Sequence, residues 1–148
     1  ALALGAQGAV IGTRFIATEE AQAAIEYKQA ILNARDDSTL RTRCYTGKTA
    51  RCIRTPYAME WEKDPSRIQP FPQQVMISQQ NGVMGYSAAH TDPQRTFMPA
   101  GQSSGLIKRI KPTAEVFADL VREAEAAITR LNSVLSRPTG SARAATLR

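Results

Sequence analysis

The segment Gly8-Ala9-Val10-Ile11-Gly12-Thr13-Arg14-Phe15 sets what the rest of this chain is expected to build. Ala9, Val10 and Ile11 make a short apolar run that stops at Gly12-Thr13 and leads, past Ala17, into an amphipathic stretch. That order reads as a buried strand whose C-terminal end opens onto a helix N-terminus. Such a junction suits an anion. Gly12 carries no Cβ and admits an anion to the backbone, Thr13 offers a hydroxyl and an N–H, and Arg14 brings a charge that points either into the junction or away from it. An ordinary tight strand-to-helix turn uses the same residues, so Gly-Thr alone does not separate the two readings.

Outward from this junction, Thr18 is placed to cap a helix with Glu19 and Glu20 in its first turn, at the positive end of the dipole. Ala21, Ala24, Ile25, Lys28, Ile31 and Leu32 recur at helical spacing and predict an amphipathic helix over residues 19–34, ended by Asp36-Asp37-Ser38. Residues 39–54 alternate around Thr46-Gly47-Lys48, the signature of a hairpin in which Gly47 takes a positive φ. A phosphate-cradling loop there would need further glycines. Thr55-Pro56 opens a helix that stops by Asp64-Pro65. A second helix over residues 73–80 ends at Asn81-Gly82. Trp61 and Phe71, beside prolines, read as packing anchors.

Ala100-Gly-Gln-Ser-Ser-Gly-Leu-Ile107 has two readings. It presents donors to a ligand, with Gln102 as the contact, or it starts a helix whose small residues allow close packing. Pro112 opens the last helix, on which Ala114, Phe117, Ala118, Val121, Ala124, Ala127, Ile128, Leu131 and Leu135 trace one face. Ala1-Leu-Ala-Leu-Gly5 reads as the tail of a helix with Gly5 as its stop. Residues 136–148 turn small, polar and basic, the composition of a disordered tail.

The 148 residues suffice for one domain, placed here at residues 1–135. A net charge of +6 admits an anionic partner, with Arg41, Arg43, Lys48, Arg51 and Arg54 as the densest group. No zinc-finger, RRM or KH pattern accompanies them, which favours a solvated face over a nucleic-acid groove. Cys44 and Cys52 either face each other across the hairpin or stay as reduced thiols; no metal spacing is present. His90, the sole histidine, sits near Asp92 in a polar loop that lacks the geometry of a catalytic triad. No apolar run approaches about 18 residues and no signal peptide is recognisable, so a cytoplasmic protein without membrane contact is expected.

The segment Ala1 to Glu20 resembles the last-strand motif of the nitronate monooxygenase family, formerly 2-nitropropane dioxygenases. Gly47-Lys-Thr-Ala-Arg-Cys-Ile-Arg54, Pro70-Phe-Pro72 and Met98-Pro-Ala-Gly-Gln-Ser-Ser-Gly-Leu-Ile107 are similar to family segments in the same order. The resemblance implies an α/β chain, the C-terminal part of an FMN-dependent (β/α)8 TIM barrel: its last strand and following helices, with a hairpin and helical excursion. Because such a barrel takes about 250 residues, roughly six preceding strands are expected to lie outside this sequence. The implied reaction is oxidation of an alkyl nitronate, with O2, to a carbonyl compound and nitrite. Gly12 and Thr13 would hold the FMN phosphate, Val10 and Ile11 would line the approach, and Gln102 would contact the cofactor. Val10 departs from the glutamine frequent in the family. The family's histidine belongs to an earlier strand and has no match here, which His90 does not replace. The chain alone is therefore expected to bind FMN poorly and to be inactive. Two alternatives stand beside this reading: an FMN-dependent enoyl-acyl-carrier-protein reductase, which shares the Gly-Thr strand end and the Ala-Gly-Gln segment, and a non-enzymatic basic binding module.

Overall fold

A computed structural model describes residues 1–85 and 91–135. The chain divides into two compact units, residues 10–116 and, separately, residues 1–9 with the chain from 117 onward.

The larger unit is built around the expected hairpin. Strands β1 (Thr39–Thr42) and β2 (Ala50–Ile53) pair antiparallel, with Thr39 opposite Ile53 and Thr42 opposite Ala50. Gly47 in the connection has φ +77°, and a Cβ there would stand 2.5 Å from the Phe71 nitrogen and 2.6 Å from the Pro70 carbonyl carbon. Glycine is thus required twice, for the backbone angle and for the close pass of residues 69–71. The other edge of β2 is also paired: the Ile53 N–H donates to the Met98 carbonyl (2.9 Å) and the Ala100 N–H to the Arg51 carbonyl (3.1 Å). Cys52 faces Pro99 across this antiparallel bridge.

Two apolar clusters use the hairpin. One gathers Ala17, Tyr27, Ile31, Ala34, Ile53, Met98, Ala100 and Ile107, with helix α2 (Ile25–Leu32) contributing Tyr27 and Ile31. Full burial of Ile31 is worth roughly 1.5–3 kcal/mol. The other holds Cys44, Tyr45, Cys52, Ala58, Ile68, Val83 and Phe97. The Tyr45 ring stacks between Tyr57 (5.6 Å) and Phe97 (4.6 Å). Its hydroxyl donates to the Arg95 carbonyl (3.0 Å), which leaves the Thr55 hydroxyl to donate to it (2.8 Å). Thr55 Oγ1 also accepts the Ala58 N–H (3.1 Å), so one side chain caps helix α3 (Pro56–Glu62) and satisfies the core. From helix α4 (Gln73–Gln80), fully buried Gln74 donates to the Cys44 carbonyl and accepts from the Gln69 N–H (2.9 Å), so its amide is satisfied at both ends. Both cysteines are free and buried. Desolvation pushes their thiols up, Cys44 to about 11 and Cys52 to about 12, which makes them poor nucleophiles.

In the smaller unit the Ala6 N–H donates to the Ala1 carbonyl (3.1 Å) and the Gly5 N–H to the Leu2 carbonyl (3.0 Å), with Gly5 at φ +92°. The expected helix tail is a turn over residues 2–5 instead, in which Gly5 takes the positive φ that a stop would need. A long helix, Thr113–Leu135, begins in the larger unit and continues in the smaller one; its Phe117, Val121, Ile128, Leu131 and Val134 are exposed.

Three further expectations are corrected. Ala9-Val10-Ile11 is not a strand: Val10 and Ile11 are exposed, and the chain passes directly into a four-residue helix α1 (Thr13–Ile16) capped by Gly12. A strand exists only where a neighbour supplies N–H and C=O groups, and among the described residues none pairs with this run. The helix expected from residue 19 starts at Ile25 instead. Residues 18–20 are taken by tertiary pairing: Thr18 bridges Lys111, the Glu19 N–H donates to the Lys111 carbonyl (3.1 Å), and the Glu20 carboxylate accepts the Thr113 N–H (2.8 Å) and hydroxyl (2.7 Å). Thr18 is therefore no cap; its hydroxyl donates to the Phe15 carbonyl (2.8 Å). Finally, Phe71 is half-exposed with the Lys48 ammonium 3.9 Å above its ring, whereas Trp61 does pack against the second cluster. His90 and residues 136–148 lie outside the described residues.

Candidate functional site

Two segments singled out in the sequence, separated by almost ninety residues, meet in the larger unit. The Gly101 N–H donates to Thr13 Oγ1 (3.0 Å). The path that brings them together runs through β2: because Ala100 is bonded to Arg51, the chain leaving that edge delivers Gly101 to the start of α1. A short 3-10 helix, Gln102–Leu106, follows. It is closed by the buried Ser104, whose hydroxyl donates to the Gly101 carbonyl. Gly105 packs so tightly that a Cβ would stand 3.0 Å from the Arg35 carbonyl carbon. The close-packing reading of this segment is thus correct for its buried side, while Gln102 and Ser103 are exposed.

The donors at the junction are ordered by this contact. A hydroxyl that accepts from an amide must direct its own proton elsewhere, so Thr13 is oriented as a donor away from Gly101. The first N–H groups of α1 have no intrahelical acceptor. Open space surrounds Gly12, where a Cβ would meet nothing within 4 Å. Four residues make a negligible macrodipole, so any attraction for an anion rests on these N–H groups and the hydroxyl rather than on the helix. Arg14 does not point at the junction: its guanidinium donates to the Ala17 and Arg109 carbonyls, each at 3.1 Å.

Lys28 has a role that sequence periodicity concealed. Counted on the apolar stripe of α2, it is buried, and its ammonium donates to the Thr18 carbonyl (2.6 Å) and the Glu19 carbonyl (3.4 Å). It clamps the chain that leaves α1. A lysine on an apolar stripe was the available signal. Of the five sequence-derived candidates, the structure brings Thr13 to the 98–107 segment through Gly101; Val10, Ile11 and Gln102 are exposed and adjoin this contact only along the chain.

The nitronate monooxygenase family profile matches residues 1–123, and the chain belongs to that family. It is 34% identical over 103 residues to a probable nitronate monooxygenase of Staphylococcus haemolyticus, covering 70% of this chain and 28% of that protein. Among solved structures it is similar to FabK from Thermotoga maritima, with a TM-score of 0.71 and 29% identity over 90% of this chain and 42% of that one. It is similar as well to nitroalkane oxidase from Streptomyces ansochromogenes, with a TM-score of 0.71 and 27% identity over 88% of this chain and 36% of that one. The chain therefore spans between 28% and 42% of the lengths of these proteins. No helix among the described residues is long and apolar enough to cross a membrane.

Proposed function

We propose that this chain forms the phosphate-holding end of an FMN site in an oxidoreductase that converts alkyl nitronates, with O2, to carbonyl compounds and nitrite. The observation that carries the reading is the Gly101 to Thr13 hydrogen bond, which joins the two family-like segments into one junction with an oriented hydroxyl and open backbone N–H groups. That donor set fits a phosphate monoester: Thr13 would give its hydroxyl proton, Gly12 and Thr13 their N–H groups. Val10 and Ile11 would line the approach and Gln102 would add a side-chain contact. Removal of electrons from the nitronate and their transfer to oxygen is chemistry the flavin supplies when bound.

On this reading Ala9–Ile11, which forms no strand in these 148 residues, would pair as a barrel strand only beside further chain that supplies its hydrogen-bonding neighbours. The apolar face of the helix Thr113–Leu135 belongs to the barrel's outer ring, the protein works in the cytoplasm, and the chain by itself binds FMN weakly and is inactive. The enoyl-acyl-carrier-protein reductase is kept as a second reading by the same joined Gly-Thr and Ala-Gly-Gln segments.

Flavin fluorescence titration tests the site, on this chain and on the longest open reading frame that contains it. FMN should bind the longer protein; Thr13→Val should weaken it by about tenfold or more, as loss of a hydrogen bond to a charged group does, and Gly12→Val should weaken it by filling the open space through which the phosphate approaches the backbone. Nitrite release from an alkyl nitronate, against reduction of an enoyl thioester, separates monooxygenase from reductase. Absence of FMN binding to the longer protein would overturn the proposal and leave the basic-module alternative.

A further inference from the structure

The hairpin carries like charges where a strand pair normally avoids them. Arg41 lies directly opposite Arg51 in the ladder, and Arg43 comes just past the end of β1. Like charges facing each other across a strand pair are destabilising. Arg51 is relieved by donating to the Thr39 hydroxyl (3.0 Å), and Arg43 Nε is fixed on the Gly47 carbonyl (3.1 Å). Among the described residues no carboxylate stands within ion-pairing distance of Arg41, Arg43 or Arg51.

Arg41 and Arg43 both line a cleft of about 160 Å³ together with Thr42, Thr49, Glu62, Pro65 and Ile68. Its walls are set by independent contacts: Thr42 is buried and its hydroxyl donates to Glu62 Oε1, which ties α3 to β1, and Ile68 is part of the second apolar cluster. A guanidinium offers five N–H donors in a planar fork that matches an oxyanion, and the bond to Gly47 uses only the Nε of Arg43. Glu62 shapes what can enter. A carboxylate at the rim repels a dianion but accepts from a donor on the ligand.

The geometry points to a binding site for a small carboxylate bearing an adjacent hydroxyl or amino group: the carboxylate between Arg41 and Arg43, the donor on Glu62, and the short carbon skeleton over Pro65 and Ile68. This site lies on the hairpin, shares none of the five residues assigned to FMN, and does not depend on the flavin reading.

Nitrogen-15 NMR titration of this chain with glycolate, acetate and inorganic phosphate at constant ionic strength tests it. Glycolate should shift the Arg41 and Arg43 Nε–H signals and the Thr49 amide saturably, several-fold more tightly than acetate. The double variant Arg41→Gln, Arg43→Gln should lose that binding at least tenfold. Glu62→Gln, which keeps the Thr42 contact, should remove the preference for glycolate and let phosphate bind. Phosphate binding the unaltered chain more tightly than glycolate would overturn the assignment. So would shifts spread equally over Arg122 and Arg130, the mark of bulk screening, or a double variant that binds as well as the parent.

Discussion

Val10-Ile11 and Ala50-Arg51-Cys52-Ile53 lie in the same compact unit and meet opposite fates. The first is the more apolar, yet Val10 stands fully in solvent and the run forms no ladder. The second contains an arginine, yet it is paired on both edges, to β1 through Cys52 opposite Leu40 and to the 98–100 segment through Ile53 and Met98, and its Cys52 is completely buried. Apolar character makes a segment worth burying. Hydrogen-bonding neighbours make it a strand, and the hairpin carries its own neighbour within a few residues while residues 9–11 do not.

The sharpest way to break this contrast is at Gly47. A β-branched residue at φ +77°, with its Cβ 2.5 Å from backbone, should cost about 3 kcal/mol or more. Gly47→Val is therefore expected to abolish or strongly weaken cooperative unfolding in urea. Gly12→Ala, where the added Cβ meets nothing, should stay within about 0.5 kcal/mol of the parent. Equal effects at the two positions would show that the hairpin is no more constrained than the Gly-Thr junction.

A smaller effect is expected where residues 18–20 dock on the start of the last helix. The Thr113 hydroxyl, then its backbone N–H, hold the Glu20 carboxyl below the usual carboxylate range. A group with a lowered folded-state value stabilises above its unfolded value, about 4.3 for glutamate, and loses that contribution as pH falls through the lowered one. Thermal melts between about pH 6 and pH 3 should show a shallower acid decline for Glu20→Gln than for the parent. Parallel curves would mean that the cap carries no linkage.

The least effect is expected at Val10. As an exposed residue, Val10→Asp should change the stability of this chain by no more than about 0.5 kcal/mol. In a longer polypeptide that pairs this run, the same change should be severely destabilising. A large loss in the 148-residue chain would show that Val10 is already buried there, contrary to the contrast drawn above.

Local chemistry was enough for several elements. Thr55-Pro56 specified a capped helix start, Asn81-Gly82 a helix end and Thr46-Gly47-Lys48 a turn, because each acts through bonds or dihedral preferences within a few residues. The motifs at residues 8–15 and 98–107 likewise pointed to the family. Tertiary structure decided what depends on distant partners. It unwound residues 19–24 so that 18–20 could pair with 111–113, buried Lys28 on two carbonyls, turned Arg14 away from the junction, and joined Thr13 to Gly101. The physical reason is the same in each case: backbone and side-chain polar groups must be satisfied on burial, and which group satisfies them is settled by what the whole fold brings within about 3 Å, not by the neighbours in sequence.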